Sequence, residues 1–172
     1  MRIGVDLGGT RIKAGLVDDD GVVKERAVTV TGDDKSAHAV VDAIARAIAP
    51  MVPFASSVGL AAAGVLDRKR GLIRESPNFP AWQDVALGAR LQGSLGLPVS
   101  LENDANAVIW GEASHGAARG ASNLVGYTLG TGVGGAIILH GQLWRGERGM
   151  AGELGHRVVV PDGHPCGCGA RG

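Results

Sequence analysis

A strand, a tight glycine turn carrying a threonine, and a second strand occur twice in this chain, and that unit constrains the fold more than any other feature. Arg2–Leu7 and Ile12–Val17 flank Gly8-Gly9-Thr10, and Asn123–Leu129 and Val133–Leu139 flank Gly130-Thr131-Gly132. The second turn, read on to Gly134-Gly135, formally matches G-x-G-x-x-G. A dinucleotide fingerprint must lead from a strand into a helix. This one leads into Ala136-Ile137-Ile138-Leu139, four apolar residues heading for a His140-Gly141 turn, which is a strand. The chain has no G-x-x-x-x-G-K-[ST] segment, so a P-loop is excluded as well. What remains at each turn is bare backbone amide and a hydroxyl. Amides exposed in such turns form a concavity for phosphate oxygens, and Asp6, just ahead of the first turn, suits a hydrated Mg²⁺ held between phosphates. At this level each turn also reads as a plain glycine hairpin. Glycine makes up 29 of 172 residues, against roughly 7% in ordinary proteins. The glycines cluster without a period, so collagen-like and low-complexity chains are excluded.

Between the turns the pattern alternates. Asp18-Asp19-Asp20 before Gly21 reads as a solvated turn, and Val22–Val30 as a third antiparallel strand. Ala37, Val40, Val41, Ile44, Ala45 and Ile48 recur at helical spacing, with Asp34 or Ser36 as cap and Pro50 and Pro53 as stop. Ser57–Ala63 is a buried-strand candidate, and residues 67–83 read as irregular, exposed chain. Asp84 is expected to cap a helix bearing Leu87, Leu91 and Leu95, stopped by Gly96 and Pro98. Val99–Leu101 is a strand; Asp104 opens a helix with Ala105, Val108, Ile109 and Ala113 on one face; Val158–Pro161 is expected as a last strand. This order specifies an α/β fold with a mixed sheet.

Seventeen basic residues balance seventeen acidic ones with no basic stripe, which argues against nucleic-acid and anionic-membrane partners. No apolar run reaches membrane length, the first residues lack a signal peptide, and two cysteines one residue apart make a strained disulfide. A cytoplasmic location is the expectation.

Two further clusters carry chemistry. Glu102-Asn103-Asp104-Ala105-Asn106 lies where a strand ends and a helix begins, at the edge of an α/β sheet where ligands bind. Asp104 reads there either as a helix N-cap or as the base that takes a hydroxyl proton during phosphoryl transfer. His156, Cys166 and Cys168 form H-x₉-C-x-C. Imidazole and thiolate are zinc ligands, and a structural site takes four. Three are present, so the cluster reads as a motif cut short, or as two inert thiols.

Taken together, the segments Asp6-Leu7-Gly8-Gly9-Thr10, Ser76-Pro77-Asn78-Phe79-Pro80-Ala81-Trp82 and Glu102-Asn103-Asp104-Ala105-Asn106-Ala107 resemble the ROK family (repressors, open reading frames and kinases). So do Leu129-Gly130-Thr131-Gly132-Val133-Gly134-Gly135, Ala151-Gly152-Glu153-Leu154-Gly155-His156 and Cys166-Gly167-Cys168-Gly169, all in the family's order. The resemblance implies an actin-like ATPase (ribonuclease H-like) fold with its first lobe complete and its second truncated. The expected division is 1–115, with a sugar-contacting insert around 67–83, and 116–172. It implies an ATP-dependent hexose kinase acting on the 6-hydroxyl of glucose, with Asp104 as general base. Asp6, Gly8, Gly9, Thr10, Gly130, Thr131 and Gly132 would hold ATP and Mg²⁺, and Asn78, Asn103, Asp104, Glu153 and His156 the sugar. His156, Cys166 and Cys168 would be three of four ligands of a structural Zn²⁺.

The family's following cysteine and sugar-binding glutamate are missing, as is the rest of the second lobe, so the 172-residue chain by itself is expected to be inactive and to expose apolar strand surface. Alanines stand in Gly59-Leu60-Ala61-Ala62-Ala63-Gly64 where relatives often carry proline. Glu153 favours glucose over N-acetylmannosamine; fructokinase, allose kinase and polyphosphate-dependent readings stay open. A sugar-responsive transcriptional regulator of the same family would carry a winged helix ahead of the first glycine turn; with that turn at residue 8 and no basic helix before it, the kinase is the expectation. A homo-oligomer follows from the resemblance alone.

Overall fold

A computed structural model describes residues 1–172. The chain forms two compact units, Met1–Asp104 and Ala105–Gly172. The helix that begins at Asp104 therefore groups with the second unit, where the sequence placed the division after residue 115.

In the first unit, strands β1 (Arg2–Leu7), β2 (Arg11–Val17) and β3 (Val23–Val30) are followed by helix α1 (Ala37–Ile48) and strand β4 (Val58–Ala62). A hairpin of β5 (Val65–Asp67) and β6 (Leu72–Glu75), helix α2 (Leu87–Leu95) and strand β7 (Val99–Asn103) complete it. The sheet order is β3-β2-β1-β4-β7. The first three strands are antiparallel, and β1, β4 and β7 run parallel.

Alternation in β1 and β2 sends Ile3, Val5, Leu7, Ile12 and Leu16 to one face. There they meet Val40, Val41, Ile44 and Ile48 of α1 and Leu87 and Leu91 of α2. Each such side chain contributes roughly 1.5–3 kcal/mol by leaving water. The same alternation puts Asp6 on the opposite, exposed face.

Helix α1 begins as expected: the Ser36 hydroxyl accepts from the Ala39 N–H at 3.3 Å, and the Asp34 carboxylate accepts from the Ser36 N–H at 2.8 Å. The acidic turn also behaves as read, with Asp18 accepting from the Asp20 and Val22 N–H groups and pairing with Lys24 at 2.7 Å. Those bonds stabilise the Asp18 anion and hold its pKa below the usual carboxylate value, the Lys24 contact being the largest cause.

Residues 67–83 depart from the expectation of irregular, exposed chain. They contain β6, paired antiparallel with β5, and Ile73, Phe79 and Trp82 are buried, Phe79 and Trp82 stacked at 4.1 Å. The strands are too short for their alternation to show as a period. Asp84 does not cap α2. Ala86 holds the cap position without a side-chain bond, and Asp84 pairs instead with Arg74 at 3.1 Å. Gly96, at φ 69°, ends the helix as the sequence required.

In the second unit, α3 (Asp104–His115) precedes β8 (Leu124–Leu129), β9 (Val133–Leu139) and β10 (Gln142–Leu143), which form an antiparallel sheet of order β10-β9-β8. Ile109 and Ala113 of α3 pack with Ala136, Ile138, Leu143 and Leu124, whereas Val108, expected on that face, is 52% exposed. Gly126 allows this approach, because a Cβ there would collide with Ile109. Val125, Tyr127 and Leu129 lie exposed on the other side of β8.

Val158–Pro161 does not form the expected strand. Val158, Val159 and Val160 are exposed; the N–H groups of Val159 and Val160 both donate to the Gly172 carbonyl, and the Val160 carbonyl accepts from the Gly163 N–H, so none of these bonds builds a strand ladder. β-branched composition alone does not make a strand without a partner edge. No helix is long and apolar enough to cross a membrane.

Candidate active site

Parallel pairing brings three chain ends to one edge of the first sheet. Leu7 is in register with Ala62, and Ala62 with Asn103. The Gly8-Gly9-Thr10 turn, the Ala63-Gly64 turn and the Asn103-Asp104 junction therefore leave the sheet side by side, the outer two roughly 10 Å apart at two inter-strand spacings.

The Gly8–Thr10 turn is closed by the Gly8 N–H donating to the Arg11 carbonyl at 3.0 Å. Beside it stands Asn78: a Cβ on Gly9 would lie 3.2 Å from the Asn78 side chain. Asp6 meets Lys13 at 3.5 Å on the exposed face. On β7, Arg68 donates to the Leu101 carbonyl at 3.0 Å and pairs with the Glu102 carboxylate at 3.0 Å. Glu102 also accepts from the Asn103 N–H at 3.0 Å, which stiffens the strand end that presents Asn103 and Asp104. Asp104 is half-buried in the first turn of α3 and so is open to solvent on one side. Gly8, Gly9, Thr10, Asn78, Asn103 and Asp104 thus gather along one sheet edge.

The second unit holds the other turn. The Gly130 N–H donates to the Gly132 carbonyl at 3.0 Å, between β8 and β9. A Cβ at Gly130 or Gly132 would meet nothing within 4 Å, and neither residue has positive φ. Packing does not require glycine at these two places. Gly134 and Gly135 differ: a Cβ on Gly134 would lie 2.9 Å from the Ala105 Cβ, and one on Gly135 would lie 2.7 Å from the Gly152 carbonyl. The run therefore divides into an open turn and a close-packed strand.

His156, Cys166 and Cys168 also meet in this unit, their ligand atoms all within 4.8 Å of one another. The Cys166 Sγ is 3.4 Å from His156 Nδ1, while His156 Nε2 is 3.6 Å from the Glu153 carboxylate. The cysteine turn is tied by the Cys166 N–H donating to the Ala170 carbonyl at 2.9 Å and by the Gly169 N–H donating to the Cys166 carbonyl at 3.0 Å. Hydrogen bonds from Cys168, backbone first, and then from His156 lower the Cys166 thiol to about 7. Donors around one tetrahedral zinc at 2.0–2.3 Å stand roughly 3.3–3.8 Å apart; the 3.4 Å between Cys166 and His156 has that spacing, and the donor chemistry of the three residues suits such an ion. A carboxylate on the far imidazole nitrogen is the usual outer partner of a metal-bound histidine.

A model of the ROK family matches residues 2–172. The chain belongs to the ROK family. Its fold is the mixed α/β fold of the actin-like ATPases. A glucokinase of Thermotoga maritima is 44% identical over 172 residues, 99% of this chain and 54% of that protein. An N-acetylmannosamine kinase of Citrobacter koseri is 36% identical, over 99% of this chain and 58% of that one. The crystal structure of a ROK family glucokinase from Streptomyces griseus in complex with glucose and AMPPNP is 44% identical with a TM-score of 0.88, covering 99% of this chain and 55% of that one. The chain spans about half the length of these relatives.

Three side chains at this site carry no sequence signal. Thr31, Lys35 and Arg68 reach the first turn or the end of β7 through contacts 23, 26 and 33 residues apart in the chain.

Proposed function

We propose that the protein containing this chain phosphorylates the 6-hydroxyl of glucose with ATP. The observation that carries the reading is the shared sheet edge, where a glycine turn suited to phosphate leaves β1, a half-buried aspartate follows β7 two strands away, and the Asn78 amide stands beside the turn. Asp104 accepts the hydroxyl proton as the sugar oxygen attacks the γ-phosphorus; the new P–O bond forms, the β–γ bridging bond breaks and ADP leaves. Asn78, Asn103, Glu153 and His156 bind sugar hydroxyls, because carboxylate and amide groups each span two of them. Gly8–Thr10 and Gly130–Gly132 present amides to phosphate oxygens. Mg²⁺, carried through its waters by Asp6, would neutralise phosphate charge. His156, Cys166 and Cys168 would hold a Zn²⁺ that stiffens the 153–168 segment and orients His156.

Identity to two glucokinases supports glucose, and the N-acetylmannosamine kinase relative makes that sugar the second reading. The test is an ADP-coupled assay of the complete protein with glucose, N-acetylmannosamine, fructose and allose, using ATP and then polyphosphate as donor. Turnover of another sugar without glucose overturns the specificity, and no turnover of any sugar overturns the kinase.

Two variants address the second unit. Gly132→Ala meets no protein atom, so stability should stay within about 0.5 kcal/mol. The methyl stands where phosphate approaches, and the KM for ATP should rise about tenfold, a cost near 1.4 kcal/mol. An unchanged KM removes this turn from the phosphate site. For the metal, mass spectrometry of the purified protein should find about one zinc per chain, as one closed site requires, and almost none after Cys166→Ser. A metal-free wild type with full activity removes the zinc.

A further inference from the structure

The segment joining β3 to α1 reaches back to the first glycine turn. The Thr31 hydroxyl donates to the Gly8 carbonyl at 2.8 Å, and the Lys35 Nζ donates to the Gly9 carbonyl at 2.5 Å. The Thr31 N–H also donates to the Thr10 carbonyl at 2.9 Å. Thr31 is buried at 2% exposure, so its hydroxyl is committed to this contact rather than shared with water. Lysine is a flexible side chain, yet Lys35 has a fixed root: its own carbonyl accepts the indole N–H of buried Trp82 at 2.7 Å.

These bonds settle which way the turn faces. In a trans peptide the carbonyl of one residue and the N–H of the next point in opposite directions, and the chain has no cis peptide bond. Holding the Gly8 carbonyl toward Thr31 turns the Gly9 N–H away from that segment, and holding the Gly9 carbonyl toward Lys35 does the same for the Thr10 N–H. Glycine lacks the Cβ that normally selects one peptide orientation, so Gly8-Gly9 without a brace also flips to present carbonyl oxygens. A carbonyl directed at a phosphate oxygen repels it, whereas an N–H binds it.

We infer that Thr31 and Lys35 are positioning residues that turn the Gly8 and Gly9 carbonyls away, so that the Gly9 and Thr10 amides face the phosphates of ATP. The inference rests on the kinase reading above. It also ties the nucleotide turn to the sugar-side segment, since Trp82, which anchors Lys35, lies four residues after Asn78.

The experiment is calorimetric titration of the complete protein with Mg·ATP and, separately, with glucose. Thr31→Val keeps the shape and removes the donor; Lys35→Met keeps the stem and removes the ammonium. Each should weaken Mg·ATP binding about tenfold, the size of one lost orienting hydrogen bond, with glucose affinity unchanged. Thr31→Ser and Lys35→Arg, which restore a donor, should recover Mg·ATP affinity. Unchanged Mg·ATP affinity in both Thr31→Val and Lys35→Met overturns the inference while leaving the kinase reading intact. Equal loss of Mg·ATP and glucose affinity, or no recovery with serine and arginine, overturns it too, because general destabilisation then accounts for the effect. A wild type that binds no Mg·ATP removes the kinase reading and this inference together. Should Lys35→Met fail to fold, Thr31→Val alone decides.

Discussion

Asp104→Asn is expected to lower the kcat of the complete protein about 10²–10⁴-fold, the range contributed by a positioned general base, while the KM for glucose changes little. Asparagine keeps the size of the side chain and its capacity to accept hydrogen bonds, but it cannot take the proton of the attacking hydroxyl. Asp104 begins α3 directly after β7 and is half-buried. The preceding residues are stiffened by Arg68 at Leu101 and Glu102, so the strand end should not shift with the substitution. Steady-state kinetics with saturating ATP provides the measurement, and circular dichroism tests whether the fold is kept. A variant with wild-type kcat would return Asp104 to the role of a helix-start residue.

Gly64→Ala should be the most damaging single methyl in the first unit. Gly64 has φ +118°, a conformation that side chains rarely adopt, and a Cβ there would collide with the Glu75 carbonyl and lie 2.9 Å from the Ser76 Cα. Neither neighbour is a side-chain tip able to swing aside; both are backbone of the segment leading to Asn78. Backbone strain of about 1–3 kcal/mol adds to the collision, so a loss on the order of 4 kcal/mol is expected. Urea unfolding of the purified variant measures it. A midpoint equal to wild type would show that the β4–β5 turn and the residue 75–76 backbone separate without cost.

The regular elements were legible in the sequence because each buries one face. Alternation in Arg2–Leu7 and the 3.6-residue spacing of Val40, Val41, Ile44 and Ile48 follow from a strand and a helix lying on one core. The elements misread lack that relation. The β5–β6 hairpin is short, and Phe79 and Trp82 are buried against the main core with no period of their own. Asp84 has the residue type of a helix cap, but Arg74 takes it. Val158–Val160 has strand composition, but its backbone bonds with Gly163 and Gly172 in a turn instead of a ladder.

The candidate site divides the same way. Sequence by itself determined the family and the residue types offered to phosphate, sugar and metal, because glycine turns, carboxylates and thiols act through local chemistry that survives in a linear order of motifs. It also separated the second glycine run from a dinucleotide fingerprint, since the four consecutive apolar residues after it head straight for a His140-Gly141 turn as a short strand. Only the tertiary structure decided which glycines are close-packed and which are open. It also decided that Glu153 stands behind His156, and that Thr31 and Lys35 hold the carbonyls of the first turn. Glu153 and His156 are only three residues apart, but their side chains meet through the local backbone turn that the fold imposes. The Thr31 and Lys35 contacts join residues 23 and 26 apart, and such a hydrogen bond depends on where two backbones have been carried by the packing of everything between them.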